Sequence, residues 1–164
     1  MTKLPRIVAI VLFVAGAVMI VAGAATYYLV HRELADEQIV VSDDAETLAG
    51  DDVDGPFSAY SQAMVIKSHA AEIADGQTYA QLDQDDPRRE SVMNASFLRA
   101  SLFTSVVAFG VAALVVGLGL LMILIGLAIW ALDHRRAEAL AVEEAVTEPA
   151  PVAPTTPAPP TALA

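Results

Sequence analysis

The sequence predicts an all-α membrane protein: a two-helix transmembrane hairpin with a long second helix, a small, mainly helical extracytoplasmic module between the spans, and a disordered C-terminal tail. Three observations predict it. Ala100–Leu132 is 33 residues without a charge, bounded by Arg99 and Asp133. As a helix it is about 50 Å long, against a hydrocarbon core of about 30 Å. Ile7–Val30 is a second uncharged run, of 24 residues. Between them, His31–Arg99 carries 15 Asp+Glu against 5 Lys+Arg, so the acidity belongs to a solvated segment. A soluble fold fails on area, because a 164-residue chain has too little other apolar surface to wrap the 33-residue run.

Composition excludes several classes of function. The apolar share is 55%, above the roughly 45–50% of soluble domains, and the mean hydropathy is +0.53. A net charge of −11 repels phosphate backbones, which argues against nucleic acid as a partner. There is no cysteine, which removes disulfides, thiolate nucleophiles, cysteine zinc sites and palmitoylation.

Residues 1–6 form the expected cytoplasmic N-terminus, with Lys3 and Arg6. Pro5 suits a helix start, where the N–H it lacks has no partner anyway. Residues 7–30 are the first transmembrane helix. Twelve of its residues are Leu, Ile, Val or Phe, which favours insertion by about 4–7 kcal/mol. Ala22-Gly23-Ala24 resembles a signal-peptidase site. The apolar run continues past it through Tyr27 to Val30, which favours an uncleaved anchor, and both readings send the middle segment to the same side.

Residues 31–99 are the extracytoplasmic module. Gln38–Ser42 is a short β-type run, and Leu48–Pro56 is punctuated like a turn. Phe57, Tyr60, Met64 and Ala71 keep helical spacing, which predicts a helix over Phe57–Ala74 closed by Asp75-Gly76. Asp86-Pro87 is a start signal, predicting one continuous helix from Pro87 to about His134. Its outer turns, with Val92, Met93, Phe97 and Leu98, are expected to pack on Phe57–Ala74. The module has 18 large apolar residues among 69, a thin core that must lean on the helix extensions, the membrane surface or a partner.

Residues 100–132 are the second transmembrane helix. Tyr27 and Tyr28 at the outer end and Trp130 at the inner end are interface anchors, and Arg99 is expected to snorkel beside the tyrosines. Small residues recur at intervals of seven: Gly16 and Gly23, Gly110 and Gly117, Gly119 and Gly126. Such faces let helices pack closely, as a hairpin or against another membrane protein. Neither span holds a charge, which argues against a proton relay or ion path. Four basic residues flank the spans on each side, so a bare count does not orient them. The length and acidity of 31–99 place it outside, with both termini cytoplasmic in a plasma (inner) membrane.

Signals for chemistry are sparse. Set on an EF-hand pattern, Gly55 takes position six and Asp54 and Asp52 take five and three, but Gly50 and Ser61 occupy two principal ligand positions. His31, His69 and His134 lack metal-ligand spacing. There is no G-x-S-x-G turn and no phosphate loop, and Gly117-Leu118-Gly119 lies inside a span. Asn94-Ala95-Ser96 fits a glycosylation sequon on a predicted helix. The expectation is therefore no catalytic, cofactor or metal residues and no small-molecule substrate. Residues 133–164 form a cytoplasmic tail: Ala137–Val146 is Ala/Glu-rich and can extend the helix, and from Glu148 onward, with six of the nine prolines, the chain is expected to be disordered.

Gly76–Asp83 (GQTYAQLD) and Ala95–Gly110 (ASFLRASLFTSVVAFG), together with the two spans, resemble a family of uncharacterised actinobacterial two-span membrane proteins. The resemblance covers roughly Lys3 to Leu132. Members often carry the automatic label "aromatic ring-opening dioxygenase", which implies ferrous iron held by a His and carboxylate cluster. This chain offers no such cluster, so the resemblance supplies no catalytic residues. The expected function is a non-enzymatic accessory or scaffold subunit, bound to lipid and to a membrane-protein partner or further copies of itself. The alternatives are a sensor or cation-binding module and, remotely, the dioxygenase.

Overall fold

A computed structural model describes residues 3–147, and the expected disordered tail from Glu148 onward lies outside the described residues. Among the described residues there are three helices and no strand: α1 (Leu4–Asp36), α2 (Pro56–Ile73) and α3 (Arg89–Thr147). Helices α1 and α3 are long and apolar enough to cross a bilayer, each with a mean hydropathy of 2.8 over its most apolar stretch. Both outrun their uncharged segments. At 59 residues, α3 is continuous across the whole apolar run and 15 residues beyond Leu132.

The start of α3 is two residues later than Pro87. Asp86 acts as the cap, its Oδ1 accepting the Arg88 N–H at 2.8 Å, while Pro87 and Arg88 complete a turn. Helix α2 starts behind Gly55, with Pro56 in the first turn and the Ser58 hydroxyl accepting the Gly55 N–H at 3.2 Å. It ends where Asp75 and Gly76 take positive φ and the Gly76 N–H returns to the Ala71 carbonyl at 2.7 Å. The β-type run Gln38–Ser42 gives only one isolated bridge, Val40 to Asp52. Its backbone is engaged in a compact loop, with Val41 N–H to Asp51 O and Val53 N–H to Ile39 O.

Helices α1 and α3 pack antiparallel along most of α1, and α2 lies against the N-terminal part of α3. The main core joins Leu34, Val41, Val53, Ala59, Ala63, Leu102 and Phe109. Leu102 thus belongs to the core under the loop, although it sits inside the 33-residue apolar run. A smaller cluster joins Ala74, Leu82 and Val92. Two of the four residues expected to pack on α2 do not: Phe97 and Leu98 are exposed. Helix α2 meets the face bearing Leu102 and Phe103 instead, with the Tyr60 and Phe103 rings edge-on at 5.9 Å.

Candidate functional site

The hairpin contact is built from small residues in two matching stripes, Ala9, Gly16 and Gly23 on α1 and Ala112, Gly119 and Gly126 on α3, all buried. Each step of seven residues along α1 is met by a step of seven back along α3. A methyl group on Gly16 would lie 2.6 Å from the Gly119 carbonyl oxygen, and one on Gly119 would lie 2.7 Å from that of Gly16. Gly23 stands in the same relation to Ala112, and Gly126 more loosely to Ala9 at 3.2 Å. The backbones therefore touch directly, which only glycine permits. Gly110 and Gly117 have open space around them and take no part in this contact. Gly117 and Gly119 are two residues apart, about 200° around a helix, so one stripe facing α1 turns the other away.

The ends of the hairpin are polar or aromatic. At one end, Arg6 Nε donates to Asp133 Oδ2 at 3.0 Å, and the Trp130 ring lies edge-on to His134 at 5.5 Å. At the other, the Tyr27 ring packs on Phe109 at 4.7 Å, and Tyr28 is exposed. Arg99 is not beside the tyrosines. It lies ten residues along α3 from Phe109, about 15 Å, with its guanidinium 6.0 Å from the Phe103 ring and a buried Nε that has no hydrogen-bond partner.

Above the tyrosines, polar side chains fasten the loop onto the helices. The Gln62 Oε1 accepts the Ser42 N–H at 2.9 Å, and the buried Ser61 hydroxyl donates to the Thr47 carbonyl. His69 bonds Asp44, and this hydrogen bond holds the Asp44 carboxyl below its ordinary value. His31 Nδ1 lies 2.7 Å from the Asp54 carbonyl. Sequence reasoning missed the fastening roles of Ser61 and Gln62, because α2 carries several other polar residues and their partners lie in the loop before it.

A second clasp joins the end of α2 to the start of α3. The Arg88 guanidinium bonds Asp75 at 2.7 Å and Asp86 at 2.8 Å. Its side chain and its backbone N–H together hold the Asp86 carboxyl down at about 2, and the two carboxylates push Arg88 up. Arg89 lies over the Tyr79 ring at 4.1 Å and donates to the Tyr79 and Leu82 carbonyls.

An open cleft of about 460 Å³ lies beside Tyr27, lined by Asp51, Asp52, Asp54, Gly55 and Phe57 among others. Among the described residues no group of three His, Asp or Glu is placed to hold a metal ion. The histidines do not fit the ferrous iron that the ring-opening label implies: His31 and His69 fasten different parts of the loop, and His134 sits at the opposite end of the hairpin. No protein-family model, curated protein or solved structure matches the chain.

Proposed function

We propose that the chain is a two-span membrane protein whose outer module serves as a non-enzymatic scaffold or accessory subunit. One observation carries the membrane part. Between the Arg6–Asp133 pair and Tyr27–Tyr28 the hairpin exposes a continuous apolar belt, including Ile10, Val14, Val21, Leu114 and Leu124. The belt is about 30 Å tall, the thickness of a hydrocarbon core, and aromatic rings mark both its edges.

The same levels support one orientation. With the outer edge near Phe109, Arg88 and Arg89 stand about 30 Å along the helix from it, at the limit of the positive-inside effect. Both guanidiniums are also taken up by local carboxylates and carbonyls. Lys3, Arg6, Arg135 and Arg136 then outweigh Arg32 and Arg99, which supports both termini in the cytoplasm and 31–99 outside. A reporter enzyme active only outside the cytoplasm, fused after Gly76, is expected to be active. Activity only of a cytoplasmic reporter at that point overturns the orientation.

The scaffold part rests on how the module's polar groups are used. His31, His69, Ser61, Arg88 and Arg89 tie one segment to another. Such a module presents a fixed surface to a partner. Crosslinking with mass spectrometry in native membranes is expected to join 31–99 or α3 to protein. A chain that crosslinks to nothing and stays monomeric in mild detergent overturns the scaffold role.

A further inference from the structure

Among the described residues one face of α3 has no cover, and lipid accounts for only its middle. Alternate steps of four and three residues from Met93 to Val146 mark sixteen positions on one stripe, fourteen of them apolar, with Thr104 and Arg135 the exceptions. This stripe lies on the side of α3 away from Ala112, Gly119 and Gly126, and every position but the half-buried Met93 is exposed. Two apolar positions per seven residues is the seam of a left-handed coiled coil.

The ends of the seam lie beyond the apolar belt. Phe97, 66% exposed, stands about 18 Å along α3 from Phe109. Val142 and Val146, 64% and 82% exposed, stand about 14 and 20 Å past Asp133. Hydrocarbon does not reach either end. Apolar side chains in water on the continuation of one seam call for a protein partner.

We propose that α3 pairs, parallel and in register, with α3 of a second copy of this chain along Met93–Val146. The inference rests on the two-span reading. Copies of one chain insert in the same direction, so their α3 helices are necessarily parallel. Register then sets Phe97 on its counterpart in water, Leu118 on its counterpart in lipid, and Val146 on its counterpart in water again. A different partner would need the same pattern at the same three depths. The contact is isologous and closes on itself. About 80 Å of helix, with a contact about 10 Å wide, buries about 800 Å² a side, the size of a stable interface. Gly110 and Gly117 border the seam with open space beside them, leaving room for close approach.

The chain has no cysteine, so single cysteines report the contact directly. Ala100→Cys and Ala139→Cys place one on the seam on either side of the belt, and Ala141→Cys places one off it. Full-length chains in isolated membranes are treated with a copper–phenanthroline oxidant. The expected result is a disulfide dimer of twice 17.2 kDa from the two seam variants, about tenfold more abundant than from Ala141→Cys, as seam geometry requires. Monomer from all three with the chain still in the membrane pellet, or equal dimer from all three, overturns the pairing and leaves the two-span reading standing. An adduct of another mass at Ala100→Cys overturns the second copy as occupant. Recovery of the chain in the soluble fraction overturns the two-span reading itself.

Discussion

Where α1 meets α3, backbone lies on backbone, and the contact holds by absence of side chain: a methyl group on Gly16 would sit 2.6 Å from a carbonyl oxygen. Where the loop meets α2, a thin apolar core is fastened by polar groups, Gln62 to Ser42, Ser61 to Thr47 and His69 to Asp44. The first contact is steric, indifferent to pH and salt, and intolerant of volume. The second rests on its thin core and also on the pairing of each donor and acceptor, which the first does not need. Two regions of one short chain thus use different physics, each suited to its surroundings. On the proposed two-span reading α1 and α3 lie in lipid, where no hydrophobic force drives helices together and fit decides. In water a small core needs its hydrogen bonds satisfied.

Four measurements break or sharpen this contrast. The largest effect is expected from Gly16→Leu, which forces α1 and α3 apart and destabilises the hairpin by about 3 kcal/mol or more. Ala25→Leu, on the exposed side of α1 opposite Gly16, changes it by less than about 0.5 kcal/mol. Thermal unfolding of both variants in detergent micelles reads the difference, and equal losses would refute the assigned faces. Next, Leu102→Ala removes a side chain from the core under the loop and is expected to cost about 2–4 kcal/mol. Leu120→Ala, exposed on the belt and off the seam, is expected to cost far less on the same scale. Limited proteolysis of 37–55 should accelerate for the first variant alone.

Gln62→Ala leaves the Ser42 N–H without its partner at the loop edge, a loss of about 1 kcal/mol. Amide hydrogen exchange at Ser42 should quicken while α1 stays protected. The smallest effect is acid sensitivity. Asp86 is held at about 2 against an ordinary 3.8, so its contribution is complete above pH 3.8 and is lost as pH falls towards 2. Asp44, lowered by its bond to His69, acts in the same direction. The unfolding midpoint of Asp86→Asn should fall less steeply over that window than that of the parent chain. An unchanged slope removes the Arg88 clasp from the account.

How much of this the sequence made legible follows the same divide. Length and hydropathy announced α1 and α3, and Pro56 and Asp75-Gly76 bounded α2 to within a residue, because these signals are local. Three glycine pairs at one spacing looked alike, since intervals of seven do not say which face meets which helix. The distinguishing sign was present: Ala9 and Ala112 extend two of the stripes to three small residues, whereas Phe103 and Leu124 interrupt the stripe of Gly110 and Gly117. Leu102 read as part of the apolar run because hydropathy does not separate a residue facing lipid from one under a loop. Ser61, Gln62 and Arg88 were silent because their partners are 14, 20 and 13 residues away.

Helix α3 runs unbroken past both ends of its contact with α1, with about 30 Å of rod from Arg89 to Phe109 and about 21 Å from Asp133 to Thr147. Between those levels the glycine contacts and the Arg6–Asp133 pair clamp it to α1. The two overhangs therefore cannot turn independently. A displacement of the α2 end is carried as a rigid tilt of the whole hairpin, with no break in the rod to absorb it.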